Sequence, residues 1–318
     1  MPPKRKALPH ASQYTVGWIA ALPHERAAAS TVLDERHDKP QDFKKNPSDP
    51  NSYDWGRIGE HHVVIASLPT GEYGTVSAAD TASGMRASLP HIRIGLLVGI
   101  GAGLPGEKRE ILLGDVVVSN PDGTNGGVVQ YDLYKAKVEA GASVRERKGF
   151  LNSPPRALRI ALGALRAEHE MEDSQIPEFL QAFEQNAKMK VPYGYPGSDK
   201  DPLRQPESRD TPEIHYGTIA SGNVLIKDAE QRDSIIEWLG RENVHPLCYE
   251  MEAAGLMNSF PCVVIRGICD YANEHKNDDW QRYAAATAAA FAKELLQYVD
   301  TEEVEITPKI AEVLENSQ

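Results

Sequence analysis

Four charged residues crowd one stretch of this sequence: Glu250 and Glu252 beside Met251, then Arg266 and, a helical turn further on, Asp270. Between them runs Cys262-Val263-Val264-Ile265, a continuous apolar run of the kind that forms a strand buried on both faces. In an open α/β sheet the carboxyl ends of strands form the ligand crevice. An acid at that edge, with two more on a neighbouring helix start, is an arrangement able to do chemistry. Charge flanking a buried strand needs a partner or a ligand, because an unpaired buried charge is costly. The plain alternative is that Asp270 caps the segment that follows. Glu250 and Glu252 read as the opening of a small-residue helix over 248–255. Two carboxylates so close would face different sides of it, so only one points into a pocket. Cys269 adjoins Asp270, but no neighbouring His is indicated and the thiol reads as inert. Glu25 lies just past a first apolar strand, where a solvated acid complementing the helix dipole is the default reading.

The elements that must position these groups alternate between apolar strands and small-residue helices, which predicts an α/β fold with a largely parallel or mixed sheet. Residues 14–22 read as a buried first strand, and Pro23 opens a helix. Residues 52–58 and 62–66 pair as a hairpin across Gly59-Glu60. Residues 92–98 read as another buried strand, emptying into the loop Gly99-Ile100-Gly101-Ala102-Gly103. A proline follows closely and no helix opens there, so a dinucleotide site is not expected. Those glycines read either as letting backbone approach a small ligand or as a tight turn. Residues 111–119 and 215–223 read as further strands, and residues 154–170, 228–240 and 279–299 as helices. The organisation expected is a disordered leader over 1–13, one domain over 14–299 with a loop-rich insertion around 172–212, and an acidic tail over 300–318. So long a connection is usually a functional lid or a disordered insertion.

Bulk properties narrow the partners. The 318 residues carry a net charge of −12, which argues against general binding of nucleic acid or acidic membrane. Lys4-Arg5-Lys6 is the only basic cluster, read as part of the leader with a nuclear import tag as the alternative. The three cysteines have no metal-like spacing and suit a reducing compartment. No apolar run approaches the ~18 residues of a membrane span. The reading is a cytoplasmic protein without metal or organic cofactor.

Five segments in order resemble the purine and uridine phosphorylase superfamily, which includes the methylthioadenosine and adenosylhomocysteine nucleosidases. They are residues 14–23, residues 98–105, His215-Tyr216-Gly217-Thr218-Ile219-Ala220-Ser221-Gly222-Asn223, Glu250-Met251-Glu252-Ala253-Ala254-Gly255 and Arg266-Gly267-Ile268-Cys269-Asp270-Tyr271-Ala272. The resemblance is to the fungal branch found as the amino-terminal domain of NACHT, ankyrin or tetratricopeptide receptor-like proteins, and it covers residues 14–299.

That resemblance implies a three-layer α/β/α fold around a mixed, barrel-like sheet, and cleavage of the N-glycosidic bond of a purine nucleoside. By the same resemblance Asp270 protonates or hydrogen-bonds purine N7, Glu252 binds the ribose hydroxyls and Met251 packs on the sugar. Ile100 and Gly101 touch the substrate, and Val224, Leu225 and Ile226 line the base pocket, where an aromatic stacker is common in relatives. Asn223 stands where nucleosidases of this group often have Asp. Phosphorylases hold phosphate with an Arg and a Ser or Thr at the positions occupied here by Leu97 and Ile100, neither of which binds an anion. Glu25 matches the carboxylate that activates water, and Arg266 the arginine that helps to position it. Hydrolysis of adenosine- or inosine-type nucleosides is therefore expected. Phosphorolysis, with Arg26 or an arginine of the insertion restoring the anion site, is one alternative; a nucleoside-sensing module without turnover is the other. Relatives assemble as dimers or larger rings, which implies a homo-oligomer.

Overall fold

The valine- and isoleucine-rich runs do form strands covered on both faces, and their alternation divides the interior into two cores. The computed structural model describes residues 5–315 apart from 105, 107–109, 140–141, 206–207 and 210. The first half of the chain contributes β1 (Lys6–Ala7), β2 (Val16–Ala20), α1 (Pro23–Thr31), β3 (Glu35–Asp38), β4 (Asp54–Ile58), β5 (His61–Ser67), α2 (Thr75–Ser88) and β6 (Ile94–Gly103). Next come β7 (Val116–Ser119), β8 (Val128–Gln130), the hairpin β9 (Tyr134–Glu139) and β10 (Ala142–Arg147), then α3 (Arg156–Glu168) and α4 (Ile176–Gln185). The chain continues through β11 (Ile214–Gly217), β12 (Ile219–Ser221), α5 (Ala229–Arg241), β13 (Cys248–Glu250), α6 (Ala253–Leu256) and β14 (Cys262–Asp270). It ends, among the described residues, with α7 (Gln281–Gln297), α8 (Thr301–Ile306) and α9 (Ile310–Glu315).

Apart from the separate β9–β10 hairpin, the strands join one mixed sheet, in the order β1-β3-β4-β5-β2-β6-β13-β12-β8. β14 lies against both β6 and β7, and β7 carries β11. Successive side chains on a strand face opposite ways, so Val63 and Ile65 enter one core while Val64 and Ala66 enter the other. The first core is closed by alanines of α1 and by α3, α4 and α7; the second by Ala78, Ala82 and Met85 of α2 with Ala253 and Leu256 of α6. The result is the three-layer α/β/α arrangement expected from the sequence. A third cluster packs Ile235, Trp238 and Leu239 of α5 on Val129, Ala220 and Tyr249. Helix α7 sits so close to the sheet that a Cβ at Gly267 would stand 1.9 Å from the carbonyl oxygen of Ala284. Its run of buried alanines is what permits that approach.

Two sequence readings change here. The glycine segment 99–103 is not a loop: β6 continues through it, pairing with β14 on one side. Residues 248–250 are a strand and not the opening of a helix; Cys248 and Tyr249 pair antiparallel with Gly103 and Ala102. Because β2 leaves the other edge of β6 at Leu97 and β13 joins only at Ala102, that edge carries no strand partner in between. This break sits at the carboxyl ends of the parallel strands β2, β5, β6 and β14, where open α/β sheets bind ligands.

The ends of the chain are more structured than a leader and tail. Residues 1–4 lie outside the described residues, whereas Lys6–Ala7 pairs with β3 and Leu8 is buried. Ile310 is buried and its N–H donates to the Ile92 carbonyl at 2.9 Å. Within 172–212, α4 packs on α7, and the buried Asp201 accepts hydrogen bonds from the Tyr271 hydroxyl (2.9 Å) and the Leu113 N–H (2.9 Å). Among the described residues, no helix is long and apolar enough to cross a membrane.

Candidate active site

The break in the edge of β6 is filled by a side chain. Pro23 sets the first turn of α1 and turns Glu25 back towards the sheet, where it is only 3% exposed. One of its oxygens accepts from the N–H groups of Ala21 (2.7 Å) and Leu22 (2.8 Å). The other accepts from Ile100 N–H at 2.8 Å, the amide that the missing strand would otherwise have bound. The default reading of Glu25 as a solvated first-turn acid is therefore corrected. Gly99 makes room for this: a Cβ there would stand 2.4 Å from Glu25 Oε1 and 2.6 Å from Arg266 Nη1.

Arg266, on β14, is fully buried behind the same break. Its Nη1 donates to the Ile100 carbonyl (3.4 Å), while Nη2 donates to Glu250 and, at 3.3 Å, to Glu252 Oε2. The two glutamates thus converge on one guanidinium, against the expectation that they face different ways. In a strand that gives way to a turn, positions i and i+2 share a side. Glu250 also accepts from the N–H groups of Glu252 (3.1 Å) and Ala253 (3.0 Å), and Glu252 from Gly74 N–H (3.2 Å).

Two carboxylates sharing one cation cannot both be fully compensated. Burial, reinforced by the charges of Glu250 and Glu25, pushes Glu252 up to about 7 against the pull of Arg266. Burial works against the guanidinium, but Glu250, Glu252 and Glu25 together hold Arg266 above its usual range. The sign for stability follows. A carboxyl raised on folding stabilises fully below its unfolded value of 4.5, and that contribution is lost as pH rises through about 7. Wild type should lose about 3 kcal/mol more stability than Glu252→Gln between pH 4.5 and pH 8. Urea unfolding at the two pH values checks this; parallel profiles would assign the titration elsewhere.

At the far side Asp270 ends β14, buried, with Oδ1 accepting from Ala272 N–H (2.9 Å). Its Oδ2 accepts from Lys276 Nζ (2.6 Å) and from the Cys269 thiol (3.2 Å). Burial pushes that thiol well up, as does the charge of Asp270, in keeping with an inert cysteine.

Glu25, Ile100, Gly101, Val224, Leu225, Ile226, Met251, Glu252 and Asp270 all line one cavity of about 240 Å³. Arg266 stands behind its wall. Asn223 is not among the lining residues: it is exposed, its side-chain oxygen accepts from the Thr75 N–H (3.0 Å) and its amide reaches Asp132 (3.1 Å), bracing two loops. Sequence reasoning missed Lys276, Lys227, Asp278 and Gln281, and two aromatic rings, Tyr73 and Tyr249. Leu97 is buried in the core, and Arg26 bonds Asp54 at 2.8 Å away from the cavity. None of the described residues of 172–212 lines it either. Among the described residues, no group of three or more His, Cys, Asp or Glu could hold a metal ion.

This layered fold is shared with solved 5′-methylthioadenosine/S-adenosylhomocysteine nucleosidases. No family model matches the sequence. A nucleotide-binding leucine-rich repeat (NLR)-like protein from Hyaloscypha variabilis is 42% identical over 304 residues, covering 89% of this chain. The chain spans only 29% of that relative's length. The 5′-methylthioadenosine/S-adenosylhomocysteine nucleosidase of Mycobacterium bovis is 26% identical over 89% of this chain and 96% of its own. Among solved structures, that nucleosidase from Neisseria meningitidis, in complex with methylthio-immucillin-A, superposes with a TM-score of 0.58. It is 18% identical, over 89% of this chain and 99% of the other.

Proposed function

We propose that this chain is a purine nucleoside N-ribohydrolase, cleaving adenosine- or inosine-type nucleosides to free base and ribose. The observation that carries the reading is that Glu25 and Asp270, each held by its own set of partners, line one cavity. Such a pair divides the two proton tasks of the reaction. Water, polarised by Glu25, attacks the sugar carbon, and the leaving base takes a proton at N7 from the Asp270 side. Glu252 receives the ribose hydroxyls, Met251 packs on the sugar, and Tyr249 with residues 224–226 walls the base. Arg266 fixes Glu250, Glu252 and, through Ile100, the backbone that holds Glu25.

Charge supports hydrolysis over phosphorolysis. Glu25, Glu250 and Glu252 outnumber Arg266 at the sugar end, which suits an oxocarbenium-like sugar and opposes a phosphate dianion. The nucleosidase names of the relatives point the same way. The length of the NLR-like relative favours a second reading, a sensing module that binds a nucleoside without turnover. Assembly as a homo-oligomer belongs to the same proposal.

Incubation with adenosine or inosine, with and without phosphate, separates the readings by the sugar formed. Free ribose made equally well without phosphate is expected. Ribose 1-phosphate formed only with phosphate would overturn hydrolysis, and binding without turnover would leave the sensing role.

A further inference from the structure

The proposed roles leave several cavity side chains without a task, and among them Lys276 is the one that bonds Asp270. Lys276 Nζ lies 2.6 Å from Asp270 Oδ2, its side chain is 16% exposed, and it lines the cavity. An ammonium carries three donors, and the hydrogen bond to Asp270 occupies one. We propose that Lys276 is the positioning residue of the leaving-group side, a proton store that reloads Asp270 as the purine departs. This rests on the hydrolase reading.

The balance is simple. The C1′–N9 bond breaks with its electron pair going to the base, and water supplies oxygen to C1′ and a proton to the Glu25 side. N7 takes a proton from Asp270, and Lys276 returns one to Asp270 and is itself reprotonated from solvent. Lys276 Nζ donates directly to Asp270 Oδ2, so the proton that Asp270 gives to N7 can be replaced through that contact. Burial disfavours the ammonium, but Asp270, Cys269 and Asp278 outweigh it and hold Lys276 above its usual value. The groups that face the pair are the Cys269 thiol at 3.2 Å and, around the same cavity, Glu25, Lys227, Tyr249 and Asp278. The link is local, since Asp270 and Lys276 are joined by one short turn that begins with Ala272 at φ 51°.

The test compares two leaving groups. p-Nitrophenyl β-ribofuranoside departs as a stable phenolate and needs no proton, whereas adenosine does. Lys276→Met should lower kcat on adenosine about 100-fold and on the phenyl riboside no more than about threefold, with KM little changed. Its alkaline limb should move to lower pH, because Asp270 would then be the only store. Lys276→Arg keeps the charge but cannot release a proton, and should remain within about threefold of Lys276→Met. Equal losses on both substrates, or recovery by arginine, would overturn the proton store while leaving the hydrolase intact. Wild type that turns over neither substrate would remove the hydrolase reading and this inference with it. Circular dichroism and melting of both variants confirm that each is folded.

Discussion

Asp270→Asn is expected to lower kcat on adenosine by about 10²–10⁴-fold while leaving KM within a few fold. The amide has the shape of the carboxyl group and its one oxygen can still accept from Ala272 N–H, so the end of β14 should keep its conformation, although the oxygen that accepts from Lys276 is replaced by an NH2 group. What it cannot do is pass a proton to a departing base. An interaction made only as the bond breaks appears in kcat and not in affinity. Steady-state rates with adenosine, combined with direct binding of a non-hydrolysable analogue, separate the two. Collapse of binding with an intact rate would reassign Asp270 to substrate recognition.

Arg266→Met should destabilise the folded chain by about 3–5 kcal/mol at pH 8. Methionine replaces much of the buried stem, so the loss is not mainly one of packing. It comes from leaving Glu250 and Glu252 buried without the guanidinium they share. Because Glu252 is already pushed up to about 7, protonation relieves part of this strain, and the deficit should shrink at pH 5. Adding Glu250→Gln should restore part of the stability, as a coupled pair requires. Denaturant titrations at both pH values measure this. A deficit below about 1 kcal/mol at pH 8 would mean that the buried charges are compensated by other means.

The parts of the fold that the sequence made legible are those where one signal dominates. Apolar runs such as 262–265 are strands wherever they stand, and Pro23 opens a helix through its fixed φ. Residues 248–256 mixed two signals, since Ala253-Ala254-Gly255 favours a helix while Cys248-Tyr249-Glu250 pairs with β6. The helix reading put Glu250 and Glu252 on different faces; the strand brings both to Arg266. At 99–103 glycine content suggested a loop, yet what decides the conformation is β14 alongside, a partner 166 residues away from Ile100. Lys276 was invisible for a related reason. A lysine in a polar loop is ordinarily solvated, and only the turn after Asp270 brings it to the carboxylate. Tyr249 hid inside the misread helix. Asn223 shows the reverse case, a position singled out by resemblance that the structure uses to tie Thr75 to Asp132.

The way Glu25 plugs the edge of β6 also bears on how the chain folds. Its bond to Ile100 spans 75 residues, and that of Arg266 to the same residue spans 166. Closing such distant contacts is slow, because chain entropy is lost before they form. β14 is also an inner strand, flanked by β6 and β7, so a growing chain that has not yet made it leaves both of those edges bare. Nothing resembling the cavity can exist on the ribosome until the last strand has emerged. Until then the apolar edges of β6 and β7 are the surfaces most exposed to wrong pairing.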